Sequence, residues 1–248
     1  MRKKLDISAY LVVGPENTLG RPVGDIIRAA VENGFTCLQI RSKTASAREL
    51  IALCREAADV LQALGKAEDV VLLVDDRLDV VLAAREAGIK VDGILVVLAA
   101  REAGIKVDGI HVGQSDIPVA VCRKFLGPEA VIGLSARTQE LLDYVRQADT
   151  RDIDYFGAGP LHETATKPDC GRDAAGHIIT RSFEELTELH AISPVPVVVG
   201  GGVKAHDLPA LRKTGVDGFF VVSAVAGADD PAAAARELVA TWKAAPRS

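Results

Sequence analysis

The chain has 248 residues, 48% of them apolar and 25% charged, with a formal net charge of -5. This balance suits one globular core rather than a disordered chain, and a net acidic sequence with no basic face argues against a protein that wraps nucleic acid. The longest apolar run, Gly93 to Ala100, falls far short of the roughly 20 residues of a membrane span, so a soluble protein is expected, with residues 1–248 forming a single domain.

Met1-Arg2-Lys3-Lys4 is basic, but Asp6 and Ser8 interrupt the apolar residues after it, so the segment reads as a lead-in to a first strand and not as a signal peptide. From there, short β-branched runs alternate with longer stretches of helical period, the pattern of parallel strands joined by crossover helices. Strands are predicted near Ile7 to Val13, Thr36 to Ile40, Val70 to Val74, Gly109 to Val112, Val131 to Leu134, Ile153 to Phe156, Val195 to Val199 and Gly218 to Val222. Among the helices, Ala47 to Leu64 places Leu50, Leu53, Cys54, Ala57 and Leu61 on one face. Ala232 to Trp242 would close the fold. Eight βα repeats, with polar residues just after strand after strand, predict a (β/α)8 TIM barrel. A doubly wound open sheet is the structural alternative.

One stretch breaks the regularity. Val80 to Ile94 recurs without a change as Val96 to Ile110, fifteen identical residues at an offset of sixteen. Two copies are too few for a repeat array, so this is a recent or constructed tandem duplication. Each copy carries one helix and the beginning of one strand, and a ninth strand would conflict with barrel closure. About 16 residues within 80–110 are therefore expected to be surplus, the helix coming from one copy and the strand from the second, which leads into His111-Val112-Gly113-Gln114. The two helix copies are identical, so sequence does not say which one packs. Cys37, Cys54, Cys122 and Cys170 are scattered, with neither metal-ligand nor C-x-x-C spacing, and read as the reduced thiols of a cytoplasmic protein.

Gln39, Arg41 and Lys43 alternate as the second strand ends, so their side chains point the same way. A guanidinium fork beside an ammonium suits a diphosphate, although a strand-end salt-bridge cluster would explain it equally well. Asp75, Asp76 and Asp79 come after the third strand and Asp116 after the fourth. Asp76 and Asp116 could share a Mg2+ ion with substrate phosphate oxygens, whereas helix capping accounts for Asp79. His111 reads as a hydrogen-bonded structural histidine. Gly159 to Lys167 carries Thr164, Thr166 and Lys167 after the sixth strand, and Gly200-Gly201-Gly202 with Val221 to Ala224 could form a second anion cup from backbone N–H groups.

In order along the chain, Q-I-R-S-K, D-D-R, H-V-G-Q-S-D, G-L-S-A-R-T, G-P-L-H-E-T-A-T-K and G-G-G-V with V-V-S-A resemble the thiamine phosphate synthase family over nearly the whole sequence. The resemblance implies a (β/α)8 barrel transferase of thiamine biosynthesis. It would condense 4-amino-2-methyl-5-hydroxymethylpyrimidine diphosphate with thiazole phosphate by a dissociative mechanism, needing no general base. It further implies that Gln39, Arg41, Lys43 and Asp75 hold the pyrimidine diphosphate, that Asp76 and Asp116 bind Mg2+, and that Lys167 contacts the diphosphate. Ser135 would lie near the pyrimidine, and Thr164, Thr166, Gly201, Gly202, Val222 and Ser223 would cradle the thiazole phosphate. Arg41, Lys43, Lys167 and Ser135 would then act in catalysis. Partners would be these small molecules alone, with self-association left open. Three departures stand out: Asp75 where many members carry Asn, a longer segment from Pro168 to Ile179 that could be a lid or a surface loop, and the duplication between the two metal-ligand candidates. Two other readings compete. A related thiazole tautomerase would use a histidine where this chain has Arg137, and a thiazole-phosphate-binding barrel without turnover would result if the duplication misplaced Asp116.

Overall fold

The computed structural model describes residues 4–85, 105–163, 171–172 and 176–247. Eight parallel strands, β1 (Ala9–Val13), β2 (Cys37–Ile40), β3 (Val71–Asp75), β4 (Gly109–Val112), β5 (Val131–Ser135), β6 (Tyr155–Ala158), β7 (Val197–Val199) and β8 (Gly218–Val221), pair in sequence order, and β8 returns to β1 to close a barrel. Around it, among the described residues, run α1 (Val23–Glu32), α2 (Ala47–Ala63), α3 (Leu78–Arg85), α4 (Val119–Leu126), α5 (Leu141–Gln147), α6 (Phe183–Ile192), α7 (Leu208–Lys213), α8 (Ser223–Ala226) and α9 (Pro231–Ala244). None of these helices is long and apolar enough to cross a membrane.

The strands are almost continuously apolar because both of their faces are buried. Outward residues such as Leu11, Leu38, Leu72, Ile110, Ile132, Phe156 and Phe219 form one core with the helices. Inward residues including Tyr10, Cys37, Val71, Leu73, Val131, Tyr155 and Val198 form a second core that fills the barrel. Helix α2 begins on a reciprocal capping box, Ser46 accepting from the Glu49 N–H while Glu49 accepts from the Ser46 N–H. Helix α9 lays Trp242 against Phe219, their ring centroids 5.4 Å apart. The described cysteines, Cys37, Cys54 and Cys122, are buried thiols, and burial pushes Cys54 up to about 12. Cys170 lies outside the described residues.

The sixth strand lies two residues later than its apolar run suggests, because Gly157 and Ala158 pair in the sheet despite low strand propensity. Asp154, just before it, is a staple. Its carboxylate accepts the N–H of Ile132 on the neighbouring strand at 2.7 Å. Asp108 and Asp217 serve Leu72 and Val197 in the same way, each at 2.9 Å. Three aspartates before alternate strands thus tie the bottom of the barrel, the face that carries stability in this architecture.

The duplication is accommodated as a hybrid. Helix α3 begins just ahead of the first copy and runs into it, whereas β4 starts on the last two residues of the second copy, Gly109 and Ile110. The Ile105 N–H donates to the Ala84 carbonyl at 2.9 Å, although Ile89 is the isoleucine five residues after Ala84 in the chain. The Arg85 guanidinium donates to the carbonyls of Val107 at 2.6 Å, Asp108 at 2.8 Å and Leu126 at 3.1 Å, tying the first copy to the second. Residues 86–104, which include the stretch of the second copy expected from sequence to be a helix, lie outside the described residues.

Removing Glu86 to Arg101 would join Arg85 to Glu102, giving the same single-copy sequence as removing Val80 to Leu95. That variant is expected to keep the wild-type far-ultraviolet circular dichroism and to gain stability of the order of 1 kcal/mol from the shorter connection. Loss of cooperative unfolding in the deletion variant would show that the extra residues are part of the fold.

Candidate active site

Residues at the carboxyl ends of the strands surround a cavity of about 710 Å³, within the range of small-molecule sites. Gln39, Arg41, Lys43, Asp75, Asp76, Asp116 and Ser135 line it together with Gly201, Gly202, Val222 and Ser223. The structure therefore brings together every sequence-predicted site residue that it describes. Thr164, Thr166 and Lys167 lie outside the described residues.

The side opened by β2 and β3 is ionic. The Arg41 Nε stands 3.0 Å from an Asp75 oxygen, and Gln39, although only 3% exposed, donates its amide to the other oxygen of Asp75. Lys43 Nζ is 3.9 Å from the Asp76 carboxylate. The turn bearing Lys43 is shaped by Glu16, which accepts from the hydroxyls of Ser42 and Thr44 and from the Lys43 N–H at 3.1 Å. Partial burial works against the Glu16 carboxylate, but these hydrogen bonds outweigh it and hold the group below its ordinary range. Sequence reading missed Glu16. The only hint was its place in a Pro-Glu-Asn turn after β1.

Asp76 has a left-handed backbone at φ 58°, a conformation that aspartate tolerates better than most residues. Burial, then the charge of Asp75, then a hydrogen bond with Asp116 raise its carboxyl to about 7. Asp116, on the loop after β4, also accepts the Gly113 N–H at 2.7 Å. Two carboxyl groups sharing one hydrogen bond in a partly buried place suit a divalent cation completed by phosphate oxygens. Among the described residues no group of three or more His, Cys, Asp or Glu is placed to hold a metal. Asp79 does not stand at the cap position. It lies in the first turn of α3, its carboxylate bound by Arg77 at 2.5 and 2.8 Å.

The opposite wall is built from backbone. Gly201 and Gly202 both have left-handed φ, 81° and 75°. A Cβ on Gly201 would come within 2.5 Å of Pro160 Cβ, so the turn that shapes this wall requires glycine. The N–H of Leu161 donates to Gly200 and Gly201, and that of His162 to Gly201 at 2.9 Å. The loop after β6 therefore occupies the turn's carbonyls, leaving a small-residue wall next to Val222 and Ser223. His162 Nε2 lies 2.9 Å from Asp207, which accepts the Lys204 N–H and latches the two loops together. The predicted lid or surface loop, Pro168 to Ile179, is described only in part. Gly171 lines the cavity, and Arg172 forms an antiparallel bridge with Ile178.

The floor holds a polar cluster that the sequence did not disclose. His111 is hydrogen-bonded, as expected, but its partners are in the cavity: Tyr155 Oη at 2.8 Å and Ser135 Oγ at 3.0 Å. Tyr155 in turn meets Tyr10 at 3.0 Å, and Tyr10 donates to Gln39 at 2.5 Å.

Residues 9–225 match the family model described as thiamine monophosphate synthase. The thiamine-phosphate synthase of Corynebacterium efficiens is 38% identical over 239 residues, covering 96% of each chain. That of Moorella thermoacetica is 34% identical over 229 residues, covering 92% of each. Among solved structures, a thiamine phosphate pyrophosphorylase from Pyrococcus furiosus superposes with a TM-score of 0.71 at 26% identity, covering 96% of both chains. A 3-hexulose-6-phosphate synthase, at 19% identity and a TM-score of 0.58, shares the fold.

Proposed function

The chain belongs to the thiamine monophosphate synthase family, and from that premise we propose that it condenses 4-amino-2-methyl-5-hydroxymethylpyrimidine diphosphate with 4-methyl-5-(2-phosphoethyl)thiazole, giving thiamine phosphate and diphosphate. The observation that carries the proposal is one cavity with an ionic wall of Arg41, Lys43 and acidic residues facing a glycine turn beside Ser223. Such a space takes a diphosphate on one side and a monophosphate on the other.

In the dissociative reading, the bond between the pyrimidine methylene and the diphosphate oxygen breaks first. The thiazole nitrogen then donates its lone pair to the methylene carbon, and no proton needs to be removed. Arg41 and Lys43, joined by Lys167, bind the departing diphosphate and stabilise the charge it gathers. Gln39 and Asp75 fix the guanidinium of Arg41, and Ser135 faces the pyrimidine. Thr164, Thr166 and the backbone of Gly201, Gly202, Val222 and Ser223 hold the thiazole phosphate. Asp76 and Asp116 would hold Mg2+, which when bound neutralises diphosphate charge.

Arg137, in place of the histidine a thiazole tautomerase would need, also lines the cavity, 5.8 Å from the Tyr144 ring. A disabling shift of Asp116 finds no support, because β4 keeps its pairing with both neighbours and Asp116 lines the same cavity as Asp76. Purified protein supplied with both substrates and Mg2+ is expected to form thiamine phosphate and diphosphate in equal amounts, and to form neither when one substrate is left out. Binding of both substrates without product would overturn the proposal in favour of a non-catalytic barrel.

A further inference from the structure

Six side chains, one from each of six strands, form an unbroken line of hydrogen bonds across the barrel: Asp75, Gln39, Tyr10, Tyr155, His111 and Ser135. Their register is tight. Asp75 pairs with His111, His111 with Gly133, and Gly133 with Tyr155. A Cβ on Gly133 would lie 2.3 Å from Tyr155 Oη and 2.4 Å from His111 Nδ1, so this glycine is what lets the phenol reach the imidazole.

The direction of every proton is set from one end. Asp75, paired with Arg41, is a carboxylate and only accepts. Gln39 must therefore turn its amide N–H to Asp75 and its carbonyl oxygen to Tyr10. The reverse orientation would face oxygen against oxygen. Tyr10 has a single proton and gives it to Gln39, so Tyr155 donates to Tyr10. Tyr155 then has no proton left for His111 and accepts from Nδ1–H. A neutral imidazole protonated on Nδ1 presents a bare Nε2, which accepts the proton of Ser135. Both phenols are fully buried and held protonated far above the ordinary tyrosine range, by burial first, so neither gives up its proton near neutral pH.

We propose that this line fixes His111 as the Nδ1–H tautomer and makes Ser135 a hydrogen-bond acceptor only toward the ligand, so that the site selects a heterocycle presenting an amino donor over one presenting an oxo acceptor. Tyr10, Tyr155 and His111 are then positioning residues acting through Ser135, and Asp75, where an asparagine could face Gln39 with either group, is the residue that sets the polarity. The ligand half of the proposal rests on the pyrimidine reading above. The tautomer half does not.

Two measurements test it on the full-length protein. With ¹⁵N-labelled histidine, the His111 signals, identified by their loss in His111→Asn, are expected to show a protonated Nδ1 and an unprotonated Nε2 at neutral pH. The opposite tautomer or a doubly protonated ring overturns the proposal. In binding assays, the wild type is expected to favour the 4-amino pyrimidine diphosphate over its 4-oxo analogue by about tenfold or more. Tyr155→Phe should bring that ratio close to one while inorganic diphosphate binds with unchanged affinity. An undiminished ratio in Tyr155→Phe overturns the proposal. Failure of the wild type to bind inorganic diphosphate would instead count against the proposed function, and the tautomer result would still decide this inference.

Discussion

Arg41→Ala is expected to lower kcat by about a hundred- to a thousandfold, the usual loss when a single preorganised charge-stabilising donor is removed. If the diphosphate leaves before the new bond forms, negative charge on it grows most steeply in the transition state, so the loss should fall on kcat more than on KM. Arg41 is suited to this work because Asp75 holds its Nε at 3.0 Å. The fork is thus already oriented when substrate arrives, and little side-chain freedom remains to be lost. Arg41→Lys should recover only part of the rate, since an ammonium keeps the charge but not the planar fork. Removing Arg41 also takes a cation from the side of Asp75 next to Asp76, which predicts weaker stability as well as slower turnover. Pairing Arg41→Ala with Asp75→Asn should restore the thermal midpoint but leave the rate low. Single-turnover measurement of diphosphate release is the decisive check. A loss below tenfold with the fold intact would remove Arg41 from the charge-stabilising role.

The difference between Arg41 and Tyr10 shows what could be read from the sequence. Arg41 was legible because a charged residue at the end of an apolar strand has only the mouth of the barrel to occupy, and alternation with Gln39 and Lys43 put all three on one side. Asp76 and Asp116 were legible for a similar reason: each comes just after a strand. Tyr10 and Tyr155 were not, because in strands buried on both faces period-two alternation no longer separates inside from outside. A tyrosine in A-Y-L-V-V could as well have faced the helices. Their role also depends on contacts between residues 145 positions apart, which no local pattern records. Gly133 and Gly157 held a partial signal, since a small residue on an inward position marks room for a larger neighbour. The duplication was plain in the sequence, and among the described residues α3 draws on the first copy while β4 begins in the second. Identical copies could not say in sequence which of them would supply α3, and in the structure α3 starts at Leu78, only Asp76 and Arg77 separating it from β3.

The second large effect concerns the paired carboxyls, whose proton should be displaced by the cation. In the metal-free protein Asp76 is raised to about 7, by burial first and then by Asp75 and Asp116, against the ordinary aspartate value near 4. An acid raised in the folded state binds its proton more tightly there than in the unfolded chain. The stability it confers is present at low pH, declines as pH rises from about 4 to about 7, and does not return above that. A cation on the pair needs both groups ionised, so Mg2+ should bind about tenfold more tightly per pH unit up to about pH 7 and level off beyond it. Carbon NMR of aspartate-labelled protein can track the Asp76 carboxyl, assigned by its loss in Asp76→Asn. It is expected to titrate near neutrality without metal and to shift well down when Mg2+ is saturating. Asp116→Asn removes the hydrogen-bonded carboxylate, so the Asp76 carboxyl should move down even without metal, while Mg2+ binding weakens and turnover falls by about a hundredfold or more. A metal-free Asp76 titrating near 4 would refute the crowding, and a midpoint unmoved by saturating Mg2+ would remove the pair as a cation site. Because Asp116 comes after the strand supplied by the second copy, retention of this response in the single-copy deletion would also show that the duplication leaves the cation pair undisturbed.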